Sequence, residues 1–360
     1  MADIISIATA VPDFCHKQSD ILYFMQDVYG LNEQDKRKLK FLYDHSGIAT
    51  RYSVIKDYGV LSADRNFIPV EPDAPFPTLE QRMEIYDKDA LIVSKKAITD
   101  CLQNFITPQQ ITHLITVSCT GMSAPGLDLQ LMGDMELAPN IFRTSINFMG
   151  CYAAIQALKL AKMICDSTEN AKVVIVATEL CTLHFQKEYT VDNAASSLLF
   201  ADGCAAILIS NCIQSVNSLS LRSFYSHVAQ KGKADMAWQL SSKGFLMTLS
   251  SYVPQLIQED INLLVEMAVE HNGLQLSDIT HWCIHPGGKR ILDVIEKQLN
   301  LSEEALTYSR EVLLQYGNMS SPTVLFVLKK MMDNRNEVPA KILGMAFGPG
   351  LTMETFIAES

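Results

Sequence analysis

The 360-residue sequence predicts an α/β protein built from two copies of one unit. Three observations predict it. The first is an internal repeat. Ile111-Thr112-His113 leads into an apolar run ending at Ser118-Cys119-Thr120-Gly121, and Ile279-Thr280-His281 leads into Trp282-Cys283-Ile284-His285 at an offset of 168. Gly150-Cys151 then matches Gly317-Asn318 at 167, Leu160-Ala161-Lys162-Met163 matches Leu328-Lys329-Lys330-Met331 at 168, and Lys172-Val173-Val174-Ile175 matches Lys341-Ile342-Leu343-Gly344 at 169. Four matches in one order, at nearly one offset, suggest a duplication. The second is the alternation inside each copy: short apolar strand, glycine loop, helix, apolar strand. The third is composition. Apolar residues make up 48% and charged residues 19%, which is globular rather than disordered. A chain this long buries about 70–75% of its extended surface, so a large core needs no staples.

The elements follow in order. Residues 1 to about 95 read as less regular and more polar, with a charged stretch at Asp35-Lys36-Arg37-Lys38. Leu114 to Ser118 is a strand. Tyr152 to Cys165 has apolar residues at helical spacing and few charges, the mark of a buried helix. Val173 to Ala177 is β-branched, as buried strands are. A hairpin is expected around Ala201-Asp202-Gly203, with Ala205 to Ser210 as its second strand. The second copy ends likewise at Gly348-Pro349-Gly350, followed by Leu351 to Ala358. The expected core sheet is largely parallel with antiparallel edges. Its two halves, 1–215 and 216–360, would pack about a pseudo-twofold axis.

Charge excludes some functions. Forty acids against 29 Lys plus Arg give −11, which argues against a nucleic-acid surface. No apolar run approaches the roughly 20 residues that span a bilayer. The opening Met1-Ala2-Asp3-Ile4-Ile5-Ser6 has an acid and no basic cluster, so no secretory signal is expected. Nine cysteines include no Cys-x-x-Cys pair, which predicts mostly buried thiols in a reducing cytoplasm and no metal site.

The duplication puts Cys151 and Asn318 at equivalent points, each at the start of its unit's helix. His285 ends the second copy's first strand beside Pro286-Gly287-Gly288. Strand ends and helix starts converge at one edge of an α/β sheet. A thiol must ionise to attack, and a helix N-terminus or an imidazolium favours the anion. Gly150 permits a tight turn before Cys151, and Ala153-Ala154 allow close packing behind it. Beside His285, the Asn318 carboxamide could donate to a developing oxyanion.

Gly150-Cys151-Tyr152-Ala153-Ala154, His285-Pro286-Gly287-Gly288, Tyr316-Gly317-Asn318-Met319-Ser320-Ser321 and Phe347-Gly348-Pro349-Gly350-Leu351-Thr352 together resemble the motif set of type III polyketide synthases, the chalcone- and stilbene-synthase-like group of the thiolase superfamily. The resemblance runs from about Ser46 to the C-terminus. It implies a five-layer αβαβα thiolase fold, a homodimer, no bound metal or prosthetic group, and malonyl-CoA and acyl-CoA as substrates. It makes Cys151 the nucleophile that carries the acyl chain. His285 would keep Cys151 ionised and bind the thioester carbonyl, and Asn318 would share that task. Phe200 would stand as a gatekeeper between CoA tunnel and cavity.

The sequence departs from the plant members of that family. The second gatekeeper falls at Met247. The cavity-lining positions fall at Cys119, Thr120, Cys181, His184 and Trp238, while Ser320 keeps its family identity. Of three basic CoA positions only Lys38 is retained; the others are Phe41 and His45, leaving Lys36, Arg37 and Lys40 as further candidates. A starter delivered by an acyl carrier protein is therefore conceivable. The expected function is decarboxylative condensation of malonyl-CoA onto a starter on Cys151, repeated and cyclised to a small aromatic polyketide or pyrone. The rivals are a β-ketoacyl synthase III-like single condensation, a hydroxymethylglutaryl-CoA-type synthase using Glu179, and a non-catalytic thiolase-fold binding protein.

Overall fold

The computed structural model describes all residues except 61–63, 71–73, 233–234, 251 and 335–338. The first half runs β1 (Asp3–Ala10), β2 (Phe14–Lys17), α1 (Gln18–Val28), α2 (Glu33–Asp44), β3 (Thr50–Ser53), α3 (Leu79–Leu102), β4 (His113–Ser118), α4 (Leu127–Asp134), β5 (Phe142–Asn147), α5 (Ala153–Ser167), β6 (Lys172–Leu180), α6 (Val191–Leu199) and β7 (Asp202–Ser210). The second runs β8 (Leu219–Val228), β9 (Met236–Ser241), β10 (Gly244–Leu249), α7 (Val253–Glu270), β11 (His281–Ile284), α8 (Lys289–Gln298), α9 (Thr307–Tyr316), α10 (Thr323–Asp333), β12 (Lys341–Gly348) and β13 (Thr352–Glu359).

Nine strands form one sheet in the order β11-β12-β13-β8-β1-β7-β6-β4-β5. The expected strand directions are reversed. Parallel pairs lie at the two ends, β4 with β5 and β6, and β11 with β12. The five pairs between them are antiparallel. The reason is that each copy returns through an antiparallel last strand, β7 or β13. The leading strands β1 and β8 then join the copies edge to edge.

The expected five layers are present. α5 and α10 lie between the two wings of the sheet, and their Ala153, Ala157, Leu158, Val324, Leu325 and Leu328 share one core with strands of both halves. α3 covers the outer face of the first wing, and α7 and α8 cover that of the second.

The duplication recurs atom by atom. Thr112 Oγ1 accepts from the Lys172 N–H at 2.8 Å and lies 2.9 Å from His113 Nδ1. Thr280 Oγ1 accepts from the Lys341 N–H at 2.9 Å and lies 2.7 Å from His281 Nδ1. The same clasp ties the first strand of each copy to its parallel neighbour.

Two further expectations need correction. Much of the described stretch before residue 95 is regular, the segment 54–78 excepted. β1 sits mid-sheet, and α3 is 24 residues long, opened by a Thr78–Gln81 capping box. Charges dispersed along α3 hid the buried stripe of Tyr86, Ala90, Val93, Ala97 and Ile98. The Asp202-Gly203 pair is not a turn but the start of β7. β6 and β7 are neighbours, yet residues 181–201, including α6, connect them. The Asp202 carboxylate pins that loop by accepting from Val54 N at 2.8 Å, Thr182 N at 2.8 Å and Thr182 Oγ1 at 2.6 Å. The second expected hairpin holds, with β12 and β13 joined across Pro349–Leu351.

Candidate active site

Cys151 stands two residues before α5, in the turn that Gly150 makes at φ +80°. A Cβ on Gly150 would come within 2.1 Å of Pro349 Cδ, so both the angle and the space require glycine. The Gly150 N–H donates to Cys119 Sγ at 3.0 Å, which fixes the turn from beneath. Gly317, its counterpart, has φ +70°, and a Cβ there would meet Arg51 Cδ at 2.9 Å. Asn318 follows it. Contrary to expectation, Asn318 does not start a helix: it precedes α10 by five residues, because a turn through Ser320 intervenes.

The Asn318 backbone is clamped to the far side of the site. Its N–H donates to Leu199 O and its carbonyl accepts from Ala201 N, both at 2.9 Å, bracketing Phe200. Ser320 N donates to the carboxamide Oδ1 at 2.8 Å, so Nδ2 must face the other way. One Nδ2 hydrogen points to Gly287 O at 3.3 Å. The side chain also meets the Cys151 sulfur, where it favours the anion. His285 extends β11, its N–H donating to Met345 O at 2.8 Å. The residue is 1% exposed, and both ring nitrogens lack a partner.

Burial dominates the electrostatics of both titratable groups. Burial pushes the Cys151 thiol up to about 12; contacts with Ser320 and Asn318 oppose this, and the Glu179 charge adds to it. Burial pulls His285 down to about 3. In both cases burial in an enclosed, largely apolar site disfavours the charged form.

Cys151, His285 and Asn318 line one cavity of about 880 Å³. Phe200, Met247, Cys119, Thr120, Cys181, Trp238, Ser320, Lys38 and His45 line it too. β9 and β10 pair so that Trp238 faces Met247 and Met236 faces Leu249, and all four meet the cavity. Lys38, Phe41, Leu42 and His45 reach it together because they share one helical face of α2. Lys40 falls off that face and pairs with Asp44 at 2.6 Å, so it is not part of the lining. His184 does not line this cavity either. Its Nε2–H donates to Thr120 O at 2.7 Å, its Nδ1 accepts from Phe245 N at 3.1 Å, and its ring stacks on Phe245. It braces the wall behind Trp238, beside a second pocket of about 50 Å³.

Glu179 was read from the sequence only as the base of a rival synthase, and two further features were not read as parts of this site. Glu179 is fully buried under it. It accepts from Cys119 N and Thr120 Oγ1 at 2.8 Å and from Ser321 Oγ at 2.7 Å, while burial raises its pKa. Buried Arg51 donates to Phe200 O at 2.6 Å and to Gln18 Oε1 at 2.9 Å, holding the segment that brackets Asn318. Lys289 and Arg290 also line the cavity, and their signal was in plain view: two cations directly after the Pro-Gly-Gly turn.

The family model of chalcone and stilbene synthases matches the chain in two parts, its N-terminal domain over residues 1–212 and its C-terminal domain over residues 221–360. A chalcone-synthase-like protein of Bacillus subtilis (strain 168) is 28% identical, across 99% of this chain and 98% of that protein. The crystal structure of PKS-I from the brown alga Ectocarpus siliculosus superposes with a TM-score of 0.92 at 26% identity, covering 99% of this chain and 98% of the other. The C-terminal type III polyketide synthase domain of Steely1, a type I/III hybrid from Dictyostelium, gives 0.89 at 25% identity, covering 100% and 99%. With the fold, both halves and the whole length in agreement, the chain belongs to the chalcone and stilbene synthase family and is a type III polyketide synthase, a malonyl-CoA-dependent enzyme of the acyltransferase type.

Proposed function

We propose that Cys151 carries the acyl starter and that His285 and Asn318 drive the decarboxylative condensation of malonyl-CoA onto it. The observation that carries this reading is the shared cavity, in which His285 keeps two unpartnered nitrogens and the Asn318 side chain meets Cys151.

The chemistry needs a carbon nucleophile near neutral pH. Cys151 first transfers its proton to His285 and attacks the starter thioester; the bond from the carbonyl carbon to the CoA sulfur breaks, and CoA departs as the thiol with the proton from His285. Malonyl-CoA then loses CO₂: its carbon–carboxylate bond breaks and the electron pair enters an enolate. Donors from His285 and Asn318 stabilise that oxygen, an effect typically worth about 3 kcal/mol per donor. The enolate carbon attacks the acyl carbonyl on Cys151. A carbon–carbon bond forms, the carbon–sulfur bond breaks, and sulfur recovers its electron pair. The lengthened chain leaves on CoA and returns to Cys151 for another round before cyclisation. No resident metal or cofactor takes part in this sequence.

Cys151→Ala tests the assignment. Chain extension should vanish, while CO₂ and acetyl-CoA still form from malonyl-CoA, because the enolate needs only His285 and Asn318. Extension by this variant at the parental rate would overturn the role of Cys151. Single condensation on a carrier protein and a non-catalytic role are both disfavoured by the family match over the two halves.

A homodimer belongs to the same reading. β5 is a sheet edge, and five of its six residues are exposed, Phe142 at 69%. An open edge of this kind invites pairing with a second copy. A cytoplasmic location fits nine free cysteines, two of them exposed. Among the described residues, no helix is long and apolar enough to cross a membrane. A carrier protein remains an alternative donor of the starter.

A further inference from the structure

We infer that Lys289 and Arg290, at the start of α8, hold the phosphate groups of the thioester substrate's CoA portion, so that the anion clamp lies on α8 rather than on α2. The inference rests on the reading of the cavity as a CoA-thioester site.

Three of the four α2 cations are matched by acids, and the fourth, Arg37, donates to the Glu33 carbonyl and does not line the cavity. Lys36 pairs with Glu33 at 2.9 Å, Lys38 with Asp35 at 2.9 Å and Lys40 with Asp44 at 2.6 Å. Of these only Lys38 lines the cavity, and Asp35 lines it beside Lys38, so α2 presents a neutral pair there. α8 is different. Arg290 makes no ion pair among the described residues. Lys289 pairs only loosely with Asp293 Oδ2, at 3.6 Å and beyond a hydrogen bond, while Arg310 holds the other oxygen, Oδ1, at 2.8 Å. Both cations line the cavity.

Their position carries a cost in the free protein. A helix N-terminus bears partial positive charge and unpaired N–H groups, and it favours acids over bases. α8 has no acid in its first turn and no side-chain cap on its first amides. It opens instead with two cations. Such a local conflict is relieved when an anion sits between the side chains and the helix end. The buried, unpartnered His285 ring in the same cavity independently marks a ligand path. Arg290 is five residues beyond it, a span of at most about 18 Å of chain. The reacting thioester and its phosphates therefore meet groups on one continuous segment.

The test compares two substrates, malonyl-CoA and malonyl-pantetheine, the second lacking every phosphate. For the variant carrying Lys289→Ala and Arg290→Ala, KM for malonyl-CoA should rise tenfold or more, while KM for malonyl-pantetheine should stay within twofold. Lys38→Ala should raise the malonyl-CoA value less than the double variant does. Added salt should weaken malonyl-CoA binding by the parent protein and shrink the gap to the variant. Equal changes for both substrates, or no change for malonyl-CoA, would overturn the inference. So would a double variant that loses only a malonyl-carrier-protein substrate, because the anion recognised would then be the carrier's. A parent protein that turns over neither thioester would instead defeat the underlying reading. Arg290→Lys, which keeps the charge, should restore most of the affinity; a merely structural role would not follow charge in this way.

Discussion

Single side chains at this site act by being denied water. His184 and His285 are both pulled down to about 3 by burial, against an ordinary value of 6.5. Each is neutral when folded. Below pH 6.5 the unfolded chain takes up protons that the folded chain refuses, so stability is complete above that value and is lost as pH falls toward 3. His184 adds a geometric reason. Protonating its Nδ1 would set a proton against the Phe245 N–H that now donates to it. The thermal midpoint should therefore fall between pH 7 and pH 5. His184→Gln should cost about 1–3 kcal/mol at pH 7 through its lost hydrogen bonds, and it should flatten that fall. Thermal unfolding followed across the pH range checks both, and an unchanged slope in the variant would refute the role given to His184. The residue scale is also where sequence reading is sharpest and most exposed. Cys151, His285 and Asn318 were legible because motif and duplication singled them out.

Elements convert chain order into a cavity wall. The β9–β10 hairpin alternates sides, so Met236, Trp238, Met247 and Leu249 form one surface. Trp238 is fixed by its Nε1–H, which donates to Cys119 O at 2.7 Å, and by the His184 edge against its ring. It is shared by the main cavity and the smaller pocket beyond, together with Cys181, Phe200 and Met247. Trp238→Ala should join the two spaces and shift products toward more malonyl units. Mass spectrometry of products from a fixed starter reads this directly; an unaltered product distribution would show that Trp238 does not limit chain length. At this scale the sequence was partly legible. The strands and helices of the repeat were found because their apolar periods are clean. α6 and the long loop before β7 were missed because Asp-Gly is turn chemistry in sequence, whereas here the carboxylate is an internal anchor. Lys40 was misplaced for a similar reason: composition offered a basic stretch, and only the helical phase of α2 separates Lys38 from Lys40.

The whole molecule is one sheet joined through its middle. The repeat predicted two units and the family resemblance five layers; the layers are present, and the family model matches the chain in two parts. The sense of the strands was not legible, because the joining strands β1 and β8 lie outside the repeated motifs. The exposed edge at β5 sets the assembly prediction. In solution the protein should run at twice its 40.1 kDa chain mass. Phe142→Asp should shift it toward the single-chain mass in sedimentation. A parent protein that stays monomeric at micromolar concentration would remove the dimer from the proposal.

The paired glycine turns at Gly150 and Gly317 have a further consequence. A perfectly symmetrical double chain would offer two sulfurs or two amides facing each other. Joining carbon to carbon demands unlike partners, one to be acylated and one to steady negative oxygen. On the proposed reading the duplicated scaffold supplies two matching stages, and different actors, Cys151 and Asn318, occupy them.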